Sequence, residues 1–204
     1  MIKNLILIIY FVLFASYNLE AKNLIYDFVP FNIDGSINVV IEIPAGTNEK
    51  WEVLKDGSKI DREIKDGKYR VVDYLAYPFN YGFIPQTILP ISKGGDGDPL
   101  DVIVISSSVE RGSVIKAIPL GALIMIDDQE IDTKIIAVGV NSSKLSQMNS
   151  IIQLNENYNG LIDIILLWLK NYKGQVLVLK SQISKQETLD YIKKTNKFFL
   201  EKVK

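Results

Sequence analysis

The chain contains no cysteine and no histidine in 204 residues. Without cysteine there is no disulfide to staple the fold and no thiol to carry a lipid anchor, so stability must come from a packed core. Without histidine there is no imidazole base, no Ser-His-Asp triad and no conventional zinc site. Acid–base chemistry is left to carboxylates, tyrosine, lysine or metal-bound water. An excess of charge of either sign is missing too, because 23 basic residues against 24 acidic ones give a net charge of −1. A near-neutral chain lacks the concentrated positive field on which broad nucleic-acid binding depends, so no nucleic-acid partner is expected.

A full-length membrane-spanning run is also absent. Lys3 precedes the apolar run Leu5–Ala15, and a more polar stretch follows it, ending in Leu19-Glu20-Ala21. A basic start, an apolar middle and a small residue at the cut form the pattern of a secretory signal peptide. The run is shorter than the ~20 apolar residues that span a bilayer. Residues 1–21 are therefore expected to be a signal peptide, with an uncleaved anchor as the alternative. The rest is expected to be exported, periplasmic or secreted, touching a membrane only through this segment if it is retained. Residues 22–204 suit one domain with a substantial core.

Apolar alternation puts Ile37, Val39, Ile41 and Ile43 on one face of a strand and Glu42 on the other. Pro44-Ala45-Gly46 interrupts it, and Lys50–Leu54 resumes, with Lys50 and Glu52 on one side. Asp56-Gly57 and Asp66-Gly67 are turn dipeptides. Further strands are expected at Tyr69–Asp73, Leu100–Ile105, Ser113–Ile118, Gly121–Ile126 and Lys134–Val138. Such short strands between Gly and Asp turns suggest a small closed antiparallel barrel. Leu161, Ile164, Ile165, Trp168 and Leu169 repeat at helical spacing before Gly174, and Ser184 with Glu187 forms a capping box ahead of a last helix. The fold class is thus α+β, a barrel with two main helices near the C-terminus.

What the chain does have is acid at close quarters. Asp96-Gly97-Asp98-Pro99-Leu100-Asp101 places three carboxylates within six residues on a tight turn. Magnesium-like ions take hard oxygen ligands from a few carboxylates, with water and substrate phosphate completing the shell. A calcium loop of the EF-hand kind fails, because Ser107 stands where the bidentate glutamate belongs. Asp127-Asp128-Gln129-Glu130-Ile131-Asp132, read alone, is an exposed acidic hairpin; beside a metal-ligating loop it becomes a candidate second metal site. The aromatic stretch Tyr77–Pro85 reads equally as a buried turn or as a source of phenols for phosphate oxygens. Lys50, Arg70, Lys134 and Lys173 are ordinary surface charges singly, and together could form the cationic half of a polyanion site.

In these residues the chain resembles the soluble family I inorganic pyrophosphatases. The resemblance runs from about Ile37 to Lys173. It rests on Asp96–Val102, Val40–Pro44, Lys50-Trp51-Glu52, Asn80-Tyr81-Gly82, Asp127 with Asp132 and Lys134, and the pair Tyr172-Lys173. It implies an OB-like barrel and metal-dependent hydrolysis of inorganic pyrophosphate to two orthophosphates by metal-activated water. It further implies that Asp96, Asp101 and Asp132 bind the tightest metal, with Asp101 bridging to a second ion. Asp98 would be the general base. Asp127 would join Asp132 at a further ion, Glu52 would reach another, and Glu42 would line the same cavity. Lys50, Arg70, Tyr81, Lys134, Tyr172 and Lys173 would hold the phosphoryl groups, with Arg62 as the alternative to Arg70. Several Mg2+ ions, or Mn2+, and a homo-oligomer, hexameric in the bacterial pattern, belong to the same expectation. An exported metal- or phosphate-binding barrel without turnover and an oligonucleotide-binding barrel are the competing readings.

Overall fold

The computed structural model describes residues 21–127, 129–172 and 177–203. The expected signal segment lies outside them, apart from Ala21, as does Lys173. In chain order the strands are β1 (Ile37–Ile43), β2 (Trp51–Val53), β3 (Ile60–Arg62), β4 (Ile64–Lys65), β5 (Lys68–Tyr69), β6 (Asn80–Phe83), β7 (Asp101–Ile105), β8 (Val114–Asp127), β9 (Glu130–Gly139) and β10 (Val178–Ser184). The helices are α1 (Ile151–Asn157), α2 (Leu161–Tyr172) and α3 (Lys185–Lys202).

The barrel closes as expected: β1 pairs β6, β6 pairs β7, β7 pairs β9, β9 pairs β8, and β8 returns to β1. It differs from the expectation in one pairing, since β7 and β9 run parallel while the other neighbours in the ring are antiparallel. Alternation within a strand carries no information about the direction of its partner. The two strands expected at Ser113–Ile118 and Gly121–Ile126 are one 14-residue strand, β8. Pro119 cannot donate to a ladder, and the register shifts between Pro119 and Gly121, so the proline bends the strand without ending it. The strand expected at Tyr69–Asp73 is reduced to β5 and an isolated bridge between Glu49 and Val71.

β10 adds to the outside of β8, on the edge of the sheet. α2 and α3 occupy the expected places, and the Ser184–Glu187 capping box is formed in both directions. α1 is a third helix that the two-helix expectation lacked. It has seven residues, too few for a helical period to show, and Ser150 caps it by accepting from the Gln153 amide.

Period two decides which side of each strand is buried where. Val102, Val104, Ile135 and Ala137 join Ile37, Val39 and Ile41 in a cluster that Ile192 of α3 covers. Ile103, Ile136 and Val138 join the opposite cluster, covered by Leu154 of α1 and by Ile162, Ile165, Trp168 and Leu169 of α2. β1 does not keep Ile43 with Ile37 as expected. Its register against β6 shifts between Ile41 and Ile43, so Ile43 enters the cluster under α2 while Glu42 is buried. Asp101 lies on the same side of β7 as Ile103, and Asp132 and Lys134 on the same side of β9 as Ile136. The apolar face beneath α2 therefore turns polar at one end.

Ile136 is fully buried at the centre of that face. Ile136→Ala is expected to lower the unfolding free energy by about 2–5 kcal/mol through lost transfer energy and the cavity left behind. In urea this should appear as a lower midpoint with an unchanged slope.

Candidate active site

The acidic loop is shaped by its own side chains. The Asp96 carboxylate accepts from the Asp98 amide at 2.8 Å, and between them Gly97 takes a φ of +84°, where a side chain would be strained. The Gly97 amide donates to the Leu89 carbonyl at 3.1 Å, and the Leu100 amide to the Thr87 hydroxyl at 3.0 Å. The Ile131 amide donates to the Gly94 carbonyl at 2.8 Å, which ties the loop to the β8–β9 hairpin carrying Asp127 and Asp132.

Where β7 begins, Asp101 stands directly opposite Lys134 in the parallel register. The Lys134 ammonium donates to Asp101 at 2.5 Å, to Asp132 at 2.6 Å and to the Tyr81 hydroxyl at 2.8 Å. Burial alone would depress Lys134, but the Asp101 and Asp132 carboxylates outweigh it and hold the ammonium well above the usual lysine range. Burial likewise opposes ionisation of Asp101, and Lys134 overrides it, keeping that carboxylate below its ordinary range. Burial pushes Asp96 up, helped by the nearby Asp98, Asp101 and Asp132 charges. Burial lifts Glu42 to about 8, with Lys50 and a hydrogen bond donated by the Val53 amide at 2.7 Å pulling the other way. Burial also keeps the Tyr81 hydroxyl protonated.

The cationic side comes from other elements. Lys50, just before β2, pairs with Glu52 at 2.9 Å. Arg70 is held by both oxygens of Glu63 at 2.9 Å. Arg62 instead pairs with Glu49 at 3.5 Å and covers the Tyr69 ring, so Arg70 is the one of these two arginines that lines the cavity. Tyr172, at the end of α2, stacks on Trp168 with ring centres 4.5 Å apart and planes 9° from parallel. The Trp168 indole donates to the Leu75 carbonyl at 2.9 Å, and its ring also meets Tyr77.

All of the expected site residues that are described line one cavity of about 330 Å³: Glu42, Lys50, Glu52, Arg70, Tyr81, Asp96, Asp98, Asp101, Asp127, Asp132, Lys134 and Tyr172. Sequence reasoning missed Lys55, whose ammonium contacts Asp98, and Tyr26 and Lys202 at the rim. Lys55 follows the Lys50–Glu52 pair into the Asp56-Gly57 turn, a placement that could have marked it. Among the described residues no three carboxylates converge tightly enough to enclose an ion, since Lys134 lies between Asp101 and Asp132. The donor set nevertheless suits hard divalent cations: oxygen ligands on the acidic loop and the adjoining β8–β9 hairpin, with the Asp96 carboxyl raised by burial and by its neighbours' charge.

Carboxylates facing ammonium, guanidinium and phenol groups across one barrel end can take up a multiply charged anion together with divalent cations. The comparisons agree with that class. The family model for inorganic pyrophosphatase matches residues 39–200, and the chain belongs to this family. It is 32% identical to the soluble inorganic pyrophosphatase 1, chloroplastic, of Chlamydomonas reinhardtii, over 82% of this chain and 65% of that protein. The solved type I inorganic pyrophosphatase of Toxoplasma gondii superposes with a TM-score of 0.82 at 27% identity, covering 88% of each chain. A Trypanosoma cruzi vacuolar soluble pyrophosphatase in complex with PPi gives 0.80 at 25% identity, covering 86% of this chain and 77% of that one. The chain spans between about a third and two thirds of the length of the curated relatives it matches. Those relatives include chloroplastic and mitochondrial forms. Among the described residues, no helix is long and apolar enough to cross a membrane.

Removing the buried Lys134 ammonium leaves Asp101 and Asp132 facing each other without it. Lys134→Met is expected to destabilise the metal-free chain by about 3 kcal/mol. Magnesium should restore more of the melting temperature in this variant than in the wild type, because the cation takes over the lost charge. Equal gains in both would contradict this account of the pair.

Proposed function

We propose that the chain hydrolyses inorganic pyrophosphate to two orthophosphates. The observation that carries this reading is the meeting of Asp96, Asp98, Asp101, Asp127 and Asp132 at one cavity with Lys50, Arg70, Tyr81, Lys134 and Tyr172. The PPi bound to the Trypanosoma cruzi relative supports the choice of substrate.

Pyrophosphate repels a nucleophile with its own charge, and uncatalysed phosphate hydrolysis is among the slowest of biological reactions. Asp96, Asp101, Asp127, Asp132 and Glu52 would hold magnesium, or manganese, with Glu42 behind them. When bound, such ions screen the phosphates and lower the pKa of water. Asp98 accepts or steers the proton of the attacking water. Lys50, Arg70 and Lys134 offset charge gathering on the departing phosphate. Lys134 keeps its proton because two carboxylates hold it. Tyr81 and Tyr172 donate hydroxyls to phosphoryl oxygens. Lys173, next to Tyr172 in the chain, completes that set by resemblance. A barrel that bound only metal would leave these cations without a role, and one that bound only phosphate would leave the facing carboxylates without one.

The family resemblance supports a homo-oligomer as well, and an exported one if residues 1–21 act as a signal. Mass measurement of the chain recovered outside the cytoplasm should show a start near residue 22, and recovery only as an intact membrane-bound chain would contradict cleavage.

Asp98→Asn is expected to lower kcat for magnesium-dependent phosphate release by about 100-fold or more. Asp101→Ala should abolish it, as should chelation of divalent ions in the wild type. Near-wild-type turnover by either variant would overturn the assignment.

A further inference from the structure

We propose that Lys55 is a further substrate-binding residue of this cavity, leaving Asp98 for a phosphoryl oxygen once divalent cations occupy the acidic side. The inference rests on the pyrophosphatase reading above and adds a cation that the resemblance does not assign.

Lys55 and Asp98 are 43 residues apart in sequence, yet their side chains form an ion pair at the cavity wall. The turn that presents Lys55 is built tightly. The Gly57 amide donates to the Leu54 carbonyl at 2.7 Å, and the Asp56 carboxylate accepts from the Ser58 amide at 3.0 Å and hydroxyl at 2.7 Å. The N-terminal segment holds the turn from outside: the Asn23 side-chain amide donates to the Asp56 carbonyl at 2.6 Å, and the Leu24 amide to the Gly57 carbonyl at 2.8 Å. Gly57 has a φ of +72°, and a Cβ there would stand 2.1 Å from the Asn23 Oδ1. Turn and segment are therefore fitted to each other, and the backbone of Lys55 is fixed at the rim.

The side chain reaches from that base into solvent and to Asp98. It is 81% exposed, whereas the side chains of Lys50 and Lys134 are 12% and 4% exposed and are held by Glu52 and by Asp101 with Asp132. A lysine on a rigid base with an exposed tip can change partner when the charge around it changes. Divalent cations held by the neighbouring Asp96 and Asp101 repel an ammonium from this part of the cavity. The nearest anions are then the phosphoryl oxygens of the substrate in this cavity. A three-donor ammonium without a fixed fork can follow such oxygens as they separate.

The test compares wild type, Lys55→Ala and Lys55→Arg in the full chain. Lys55→Ala is expected to raise the KM for magnesium pyrophosphate about tenfold, with kcat changed by no more than about twofold. Lys55→Arg should recover most of the loss. Calorimetric titration with magnesium alone should show tighter binding in Lys55→Ala, because a positive charge beside the metal-holding carboxylates has gone. A wild type that releases phosphate while Lys55→Ala keeps its KM overturns the role of Lys55 and leaves the hydrolysis standing. A raised KM that Lys55→Arg does not improve, together with a lower melting temperature in both variants, overturns it as well by assigning the effect to folding. A wild type that releases no phosphate overturns the hydrolysis itself, whatever the magnesium titrations show.

Discussion

The ion pair between Lys134 and the carboxylates of Asp101 and Asp132 is the constraint around which the barrel end is organised. An ammonium buried as deeply as that of Lys134 is stable only beside its carboxylates, because the interior screens it weakly and desolvation of an ion costs several kcal/mol. Their meeting depends on one backbone fact, the parallel register that sets Asp101 opposite Lys134. That register follows from β8, which forms a hairpin with β9 and reaches far enough to pair with β1 and close the ring. Pro119 within β8 bends the strand at a register shift, where a missing amide does least harm to the ladder. Ring closure and the charge pair are thus two aspects of one arrangement.

The same environment gives chemically similar acids different characters. Asp101 is held ionised by an adjoining ammonium, while Glu42, with an amide and a share in Lys50, is lifted to about 8. Neither difference follows from the amino acid itself; it follows from what each strand places beside it.

Much of this was legible in the sequence, and what was missed has a physical reason. The Asp96–Asp101 turn, the Lys50–Glu52 alternation and the Ser184–Glu187 box are local, and local spacing carries them into the structure intact. The parallel pairing of β7 and β9, the continuity of β8 through Pro119 and the contact of Lys55 with Asp98 depend on which segments meet across the fold. α1 is too short to reveal a period, and β10 is largely exposed on the sheet edge, so it lacks the alternation that marks a half-buried strand. Between Arg62 and Arg70 the chain offered two arginines of the same chemistry. Only the course of the backbone decides that Glu63 turns Arg70 toward the cavity while Glu49 and Tyr69 keep Arg62 away.

The balance of charge in the cavity also explains why its two halves belong together. Among the described residues, eight acidic side chains line it against five basic ones, although the whole chain is nearly neutral. The acidic excess alone would repel a phosphoanhydride, and the basic groups alone are largely engaged, Lys134 by two carboxylates, Lys50 by Glu52 and Arg70 by Glu63. A polyanion can therefore enter only with enough positive charge to reverse the local field. Divalent cations on the carboxylates supply that charge and at the same time relieve the repulsion that adds to burial in raising Asp96. The ammonium and guanidinium groups then meet the anion from the other side, so that ions and substrate stabilise one another's binding.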